Sequence, residues 1–425
     1  MPPIIKGSKI ELNIQRGVLE LPTGKTKTLG YNGNYLGPTI MVEKGENVSF
    51  LIKNKLKENT TLHWHGLLVP AVFDGGPRQV IEAGDVWEPH FEIVQPAATL
   101  WYHPHLLGKT AEHVYKGLAG MFYIADDYSK SLDIPKEYGV NDFPLILQDR
   151  AISRNGRFVY RPTMHEEMFG YIGNTLLVNG AVEPSLEIEA GTYRFRILNG
   201  SNSSLYKIRF AGGKRFTVIA SDGGFLPKSK ETKELIISPG ERFEILIDFK
   251  KKENATLIAD IYNGDSFKAL RVITKDRQGE FYAHPKEFDY QAIKYDRNRN
   301  QRATFVLQTQ RMGRFAINGR QMSMDRIDYE IPVNTTEIWR IENRGFRMMQ
   351  TPHSFHVHDV QFSVISVNGK KPNELLRGPK DTILLMPNEV YEIAVRFKDH
   401  KGIYMYHCHF LEHEDSGMMG QFRVR

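Results

Sequence analysis

The sequence predicts an all-β protein of three consecutive β-sandwich domains. Three observations predict it: a length too great for one core, a strand phrase written three times, and no long segment with a helical stripe. At 425 residues the chain exceeds what a single hydrophobic core organises, and length alone suggests about three domains. An Asn-Gly turn recurs at Asn32-Gly33, Asn179-Gly180 and Asn318-Gly319. Similar phrases follow: TIMVEKGENVSFLIKN from Thr39, PSLEIEAGTYRFRILNG from Pro184 and DYEIPVNTTEIWRIEN from Asp328. A second phrase recurs as IEAGDVWEPHFEI from Ile81, ISPGERFEILIDF from Ile237 and LMPNEVYEIAVRF from Leu385.

Within these phrases the apolar residues alternate. Phe243, Ile245, Ile247 and Phe249 share one face of a strand, as do Tyr391, Ile393, Val395 and Phe397. Period-two strands at regular spacing, broken by Gly, Pro and Asn turns, indicate antiparallel sandwiches. The copies divide the chain into domains at 1–138, 139–284 and 285–425, with linkers at 126–141 and about 275–302.

Charge and composition exclude several functions. The formal charge is +6, but the cations are scattered among nearly as many acids. The densest basic stretch, Lys294, Arg297, Arg299 and Arg302, has only Tyr295 as an aromatic neighbour, so a solvated linker is preferred to a nucleic-acid surface. No apolar run reaches the length of a membrane span. Met1 to Gly7 lacks the apolar core of a signal peptide, which leaves either a protein that stays inside or one whose export signal has been removed. A periplasmic or extracellular location with the signal removed is the expectation. The one cysteine, Cys408, rules out an intrachain disulfide. A lone cysteine is usually a small buried hydrophobe, but the neighbours of this one argue otherwise.

Ten of the fifteen histidines lie in four short clusters. These are His63 with His65, His103 with His105, the run of His353, His356 and His358, and His407-Cys408-His409 followed by His413. They fall in the first and third copies only; the middle domain offers no such cluster, and its His165 is an ordinary surface candidate. On an extended strand, residues two apart point the same way, so each His-x-His pair presents two imidazoles to one side. Eight imidazoles from two domains suit a multinuclear centre. Cys408, between two of them, faces the other side of its strand and can join a separate metal. His353, His413 and Met418 remain to complete that second site, and two His, one Cys and a weak axial Met make a blue-copper electron-transfer set. A single His-x-His pair is weak evidence of anything. Four pairs, together with a Cys, His and Met set confined to two of three copies, point to copper.

These clusters and their flanking residues resemble those of a known family. HWHG at His63, WYHPH at Trp101, HSFHVH at His353 and HCHFLEHEDSGMM at His407 resemble the copper-binding signatures of multicopper oxidases. The likeness covers nearly the whole chain, through VFDGGP at Val72, QPAATLWYHPH at Gln95, GLAGMFYI at Gly117 and ASDGGFLP at Ala220, and is greatest to bacterial cuprous oxidases, laccases and bilirubin oxidases. It implies three cupredoxin-like Greek-key domains and four copper ions. By position, His353, Cys408, His413 and Met418 would hold a type 1 copper, and His63 and His356 a type 2 copper. His65, His103 and His409 would hold one type 3 ion, and His105, His358 and His407 the other. Every position is filled, which argues against a copper-free relative acting as a scaffold.

The resemblance also implies proton-delivering acids at Asp74 and Glu414. The reaction needs them, because O2 takes four electrons and four protons to become water, and a carboxylate within one water of the reacting oxygen can relay. The plainer reading of Asp74 is a cap on a Gly-Gly turn, and for Glu414 the neighbouring Glu412 and Asp415 compete. Cuprous oxidases of the family carry a Met-rich insert over the type 1 site in the third domain. Here the region between the Asn263-Gly264 turn and Asn318 is short and basic. Met312, Met322, Met324, Met348 and Met349 read as core packing before soft-metal ligands. The expectation is therefore an open edge at His413 and laccase-type oxidation of phenols and aromatic amines by O2. Cu(I) is the alternative reductant, and a monomer is expected.

Overall fold

The computed structural model describes residues 1–262, 264–298, 302–309, 314–345 and 350–425. Among the residues singled out above, Asn263, Arg299, Met312, Met348 and Met349 lie outside the described residues. The described residues are mostly strand and build three β-sandwiches in succession. Each closes over its own core. Leu12, Phe50, Trp64 and Phe122 meet in the first, Phe195, Ile197, Phe243 and Ile245 in the second, and Phe305, Trp339, Ile393 and Phe422 in the third.

The alternation in the sequence has a specific outcome in the second domain. On the strand Arg242–Phe249, the alternate residues Phe243, Ile245, Ile247 and Phe249 enter the core. Arg242, Glu244 and Leu246 on the other face are buried as well, because that face meets the neighbouring domains. Glu244 Oε1, for example, accepts from Thr99 Oγ1 of the first domain at 2.5 Å.

The repeated phrases fold into repeated hydrogen bonds. Asn32, Asn179 and Asn318 all adopt left-handed backbone, with φ of 55°, 51° and 53°. Asn tolerates that region better than most side chains. The Oδ1 atoms of the three accept from the backbone N–H of Asn13, Ile146 and Val306 at 2.7, 2.9 and 2.7 Å. Their Nδ2 groups donate to the carbonyls two residues earlier, those of Glu11, Pro144 and Thr304. A second triplet ties the two phrases together. Nδ2 of Asn54, Asn199 and Asn343, each closing the first phrase, donates to the carbonyl of Ile81, Ile237 and Leu385, each opening the second.

The sheets bring the histidines to one boundary. In the first domain the strand order Ile4–Lys6, Thr39–Glu43, Gly120–Ala125, Ala98–His103, His63–His65 sets two histidine-bearing strands side by side at an edge. In the third domain Gly402–Cys408 pairs with His353–Val357. The registers oppose His63 to His103 and His356 to His407. Trp64, between the first two histidines, turns the other way into the first core. Short helices complete the frame. Leu411–Asp415 packs on Thr110–Tyr115 through Leu411, Ala111 and Val114, and the Asp415 carboxylate accepts from the backbone N–H groups of Thr110 and Ala111. The helix Met164–Phe169 of the second domain opens on a capping box between Thr163 and Glu166.

Candidate metal centre

All ten clustered histidines and Cys408 are buried, none more than 1% exposed. Their donor atoms gather into sets lying within 4.8 Å of one another: His63, His65 and His356; His65, His103 and His409; His105, His358 and His407; and His353, Cys408 and His413. The first three sets adjoin through shared and neighbouring rings, and each draws on both the first and third domains. The fourth lies within the third domain.

Burial is the first cause of the lowered proton affinity of these imidazoles. It holds His63, His65, His103, His353, His356 and His358 well below the ordinary value, and pushes His409 and His413 down to about 3. They are neutral rings, the form in which histidine binds a metal. Hydrogen bonds then decide which nitrogen is free, since a carbonyl or carboxylate can only accept. His63 Nδ1 donates to Asp74 O at 2.8 Å, His103 Nδ1 to Pro104 O at 2.7 Å, His356 Nδ1 to Asp381 O at 2.9 Å and His407 Nδ1 to Cys408 O at 3.0 Å. His358 Nδ1 donates to Asp74 Oδ2 at 2.8 Å. Each of these rings keeps its lone pair on Nε2.

The lone pairs point at each other. His407 Nε2 lies 3.1 Å from His105 Nε2 and 3.2 Å from His358 Nε2. Nε2 of His63 and of His356, and both nitrogens of His409, are buried with no hydrogen-bond partner. Converging lone pairs without protons between them repel unless a cation sits among them. The spacing also fits, because nitrogens about 2.0 Å from one ion lie roughly 3.2–3.5 Å apart. The donor sets therefore fit metal ions.

The Cys408 set fits a softer ion. His353 Nδ1 and His413 Nδ1 are 3.2 Å apart, and Cys408 Sγ is 3.6 Å from each. Met418 is buried beside them, its carbonyl accepting from Cys408 N at 3.0 Å and its N–H donating to His413 O at 2.9 Å. Burial pushes the Cys408 thiol up to about 12, so a thiolate here needs a bound cation. Imidazole, thiolate and thioether together favour copper.

The two acids, Asp74 and Glu414, lie against the histidines. Asp74 accepts from two rings, one on its carbonyl and one on its carboxylate, and its Oδ1 is 3.5 Å from His63 Nδ1. Burial pushes its carboxyl up, and the nearby imidazoles offset only part of that. Glu414 lies 3.3 Å from His105 Nδ1 and 3.1 Å from His407 Nδ1. Burial raises its carboxyl too, but His105 and His407 outweigh burial and hold it well below the usual carboxylate range.

One expectation is overturned: the edge at His413 is not open. His413 is fully buried, with Nε2 donating to the Met168 carbonyl at 3.3 Å and its ring stacked on Phe315 at 4.0 Å. Among the described residues the cover comes from Met168, on the helix Met164–Phe169 of the second domain, and from Phe315 of the third. His165 is exposed on that helix, its ring tilted against Phe169 at 4.7 Å. The sequence reading also missed Asp381, Thr382 and Arg242, whose side chains contact His65 or one another. No metal-binding spacing marks them.

Profiles described as multicopper oxidase match residues 13–129, 133–268 and 274–425. The chain belongs to the multicopper oxidase family. Its three sandwiches are cupredoxin domains, and it is an oxidoreductase of the kind that couples copper, O2 and a reducing substrate. This multicopper oxidase is 43% identical over 416 residues to the multicopper oxidase mco of Staphylococcus aureus, across 97% of this chain and 88% of that one. It is also 33% identical over 447 residues to the cell division protein FtsP of Xenorhabdus nematophila, across 100% and 91%. Among solved structures, the laccase-like multi-copper oxidase CueO of a lignin-degrading Ochrobactrum superposes with a TM-score of 0.92 at 37% identity, covering 100% of this chain and 99% of that one. A Campylobacter jejuni multicopper oxidase, described as a metallo-oxidase, gives 0.85 at 30% identity, covering 100% and 95%. No helix of the described residues is long and apolar enough to cross a membrane.

Proposed function

We propose that this multicopper oxidase is a laccase-like, four-copper enzyme that oxidises phenols and aromatic amines and reduces O2 to water. His353, Cys408, His413 and axial Met418 would hold the type 1 ion, and His63 and His356 the type 2 ion. His65, His103 and His409 would hold one type 3 ion; His105, His358 and His407 would hold the other. One observation carries the reading. The consecutive residues His407, Cys408 and His409 belong to three different donor sets, so a tripeptide joins the site that takes electrons in to the site that hands them to O2.

Bound copper supplies the one-electron steps; the chain does the rest. Dense burial keeps water away from the donor rings. Asp74 and Glu414 lie against those rings and serve as proton relays. Asp74, its carboxyl raised by burial, faces His63 through Oδ1, and Glu414 lies between His105 and His407.

The cover over His413 sets how a reductant approaches. An aromatic molecule does not touch the imidazole; it rests on the second-domain segment, and its electron crosses the hydrogen bond from Met168 O to His413 Nε2. That segment exposes Met164, Phe169 and Ile172, an apolar surface suited to a ring. The similarity to a laccase-like oxidase supports the same substrate class.

A second reading, a cuprous oxidase, is favoured by Met164 and Met168 on the covering helix, which offer soft thioethers. Added Cu(II) separates the two. Phenol oxidation that runs without it supports the laccase reading. Phenol oxidation that stays negligible until excess Cu(II) is supplied, with Cu(I) itself turned over far faster, replaces that reading with the second.

A further inference from the structure

The second domain gives the centre no ligand, yet its Arg242 is buried where all three domains meet. Every guanidinium N–H has an acceptor. Nε donates to Thr99 O of the first domain at 3.0 Å. Nη1 donates to Gly240 O at 2.9 Å and Asp381 Oδ1 at 2.7 Å, and Nη2 to Asp222 O at 3.0 Å and Asp381 Oδ2 at 2.6 Å. Two parallel bonds from a rigid fork fix a carboxylate in both position and plane.

Asp381, so held, meets donors only. Its Oδ1 also takes His65 Nε2 at 3.1 Å and Thr382 Oγ1 at 2.9 Å, and its Oδ2 takes Gln361 Nε2 at 2.8 Å. Its carbonyl is the acceptor for His356 Nδ1. Asp222 holds the segment from behind, accepting the N–H groups of Asp381 and Thr382 on Oδ2, and the buried Lys380 balances Asp222 and Glu241 at 3.0 and 2.9 Å. Gly66 admits the clamp. Its φ is +88°, and a Cβ there would stand 2.5 Å from Asp381 Oδ2 and 2.8 Å from Arg242 Nη2.

The consequence falls on His65. His63, His103, His356, His358 and His407 each turn Nδ1 to a protein acceptor. His65 turns Nε2 to Asp381 and leaves Nδ1 free, 3.4 Å from His103 Nε2. We infer that Asp381, clamped by Arg242, is the positioning residue that makes His65 offer Nδ1 to the metal, so that the second domain sets the geometry of a centre it does not ligate. The inference rests on the four-copper reading for its metal, though not for its tautomer.

The test has two arms. In the copper-free full chain with 15N-labelled histidine, NMR should find the His65 ring protonated at Nε2, with the signal assigned by its disappearance in His65→Asn. In the copper-loaded Asp381→Asn variant, the amide N–H2 faces donors and buried Arg242 loses its bidentate partner, keeping only Asp222 Oδ1 at 3.7 Å. The blue absorption and one copper should remain while the other three are lost in large part. His65 protonated at Nδ1 in the copper-free chain overturns the inference. So does an Asp381→Asn protein that keeps all four ions and an unaltered cluster spectrum. If the variant does not fold, the tautomer measurement on the unsubstituted chain decides alone. If the unsubstituted chain never loads the cluster, the four-copper reading falls, and the tautomer still tests the clamp.

Discussion

Cys408 sits between two histidines in sequence and away from both in space. Its sulfur is 3.6 Å from His353 and from His413, while His407 and His409 turn to the other donor sets. Replacing it with Ser removes the thiolate whose charge transfer to copper gives a blue colour, but leaves the eight cluster rings buried. Cys408→Ser should therefore be colourless, retain three of four coppers, and oxidise aromatic reductants at background rate. Elemental analysis that finds no copper at all would mean the two sites are not separate. At this scale the sequence was legible wherever a ligand pair sat two residues apart, since strand period alone turns both rings one way. Which ring nitrogen is free was not legible. That depends on acceptors such as Asp381, 316 residues from His65, and no local spacing points to them.

The repeated turns show what an element contributes. Asn318 sits at φ +53° and bridges two positions of one strand through Oδ1 and Nδ2. Asn318→Ala should cost about 2–3 kcal/mol, roughly 1–2 of it from an unfavourable left-handed backbone and the rest from lost hydrogen bonds. Asn318→Gly should recover the backbone part, because glycine enters that region freely. Asn32 and Asn179 hold the same bonds and should behave alike. Calorimetry in which the Ala and Gly variants melt together would show that backbone strain contributes nothing. These turns were readable because one dipeptide recurs before one phrase. The cover on His413 was not. Its capping box is visible at Thr163 and Glu166, but the helix is short and lies in the domain without ligands. The absence of a Met-rich insert in the third domain therefore said nothing about what the second domain lays over His413.

The whole molecule closes ten imidazoles into one boundary, and this has a pH consequence. In the copper-free chain, burial holds His63, His65, His103, His353, His356 and His358 well below their ordinary proton affinity, and His409 and His413 at about 3. The unfolded chain takes up these protons near pH 6.5. Below that, the unfolded state binds more protons than the folded one, so stability falls as pH falls, through the window from about 6.5 down to about 3. Each such group contributes about 1.4 kcal/mol per pH unit within it. The melting temperature of the copper-free chain should drop steeply between about pH 7 and about pH 5, and a flat profile would mean the rings are already protonated or solvated.

That three domains cooperate was partly legible, from three copies with histidine clusters in two. The work of the middle copy was hidden, because Arg242 and Met168 act by contact across domain boundaries and not by any motif. As proposed, those boundaries assemble a centre that passes electrons singly from an organic reductant and delivers four of them to O2. An oxygen electrode tests it most directly, with the copper-loaded chain, a phenol oxidised by one electron, and catalase added at the end. A four-electron centre should consume one O2 for every four phenols oxidised, with no oxygen returned by catalase. One O2 for every two phenols with half of it returned as peroxide is decomposed, or no oxygen uptake by a fully copper-loaded chain, would contradict it.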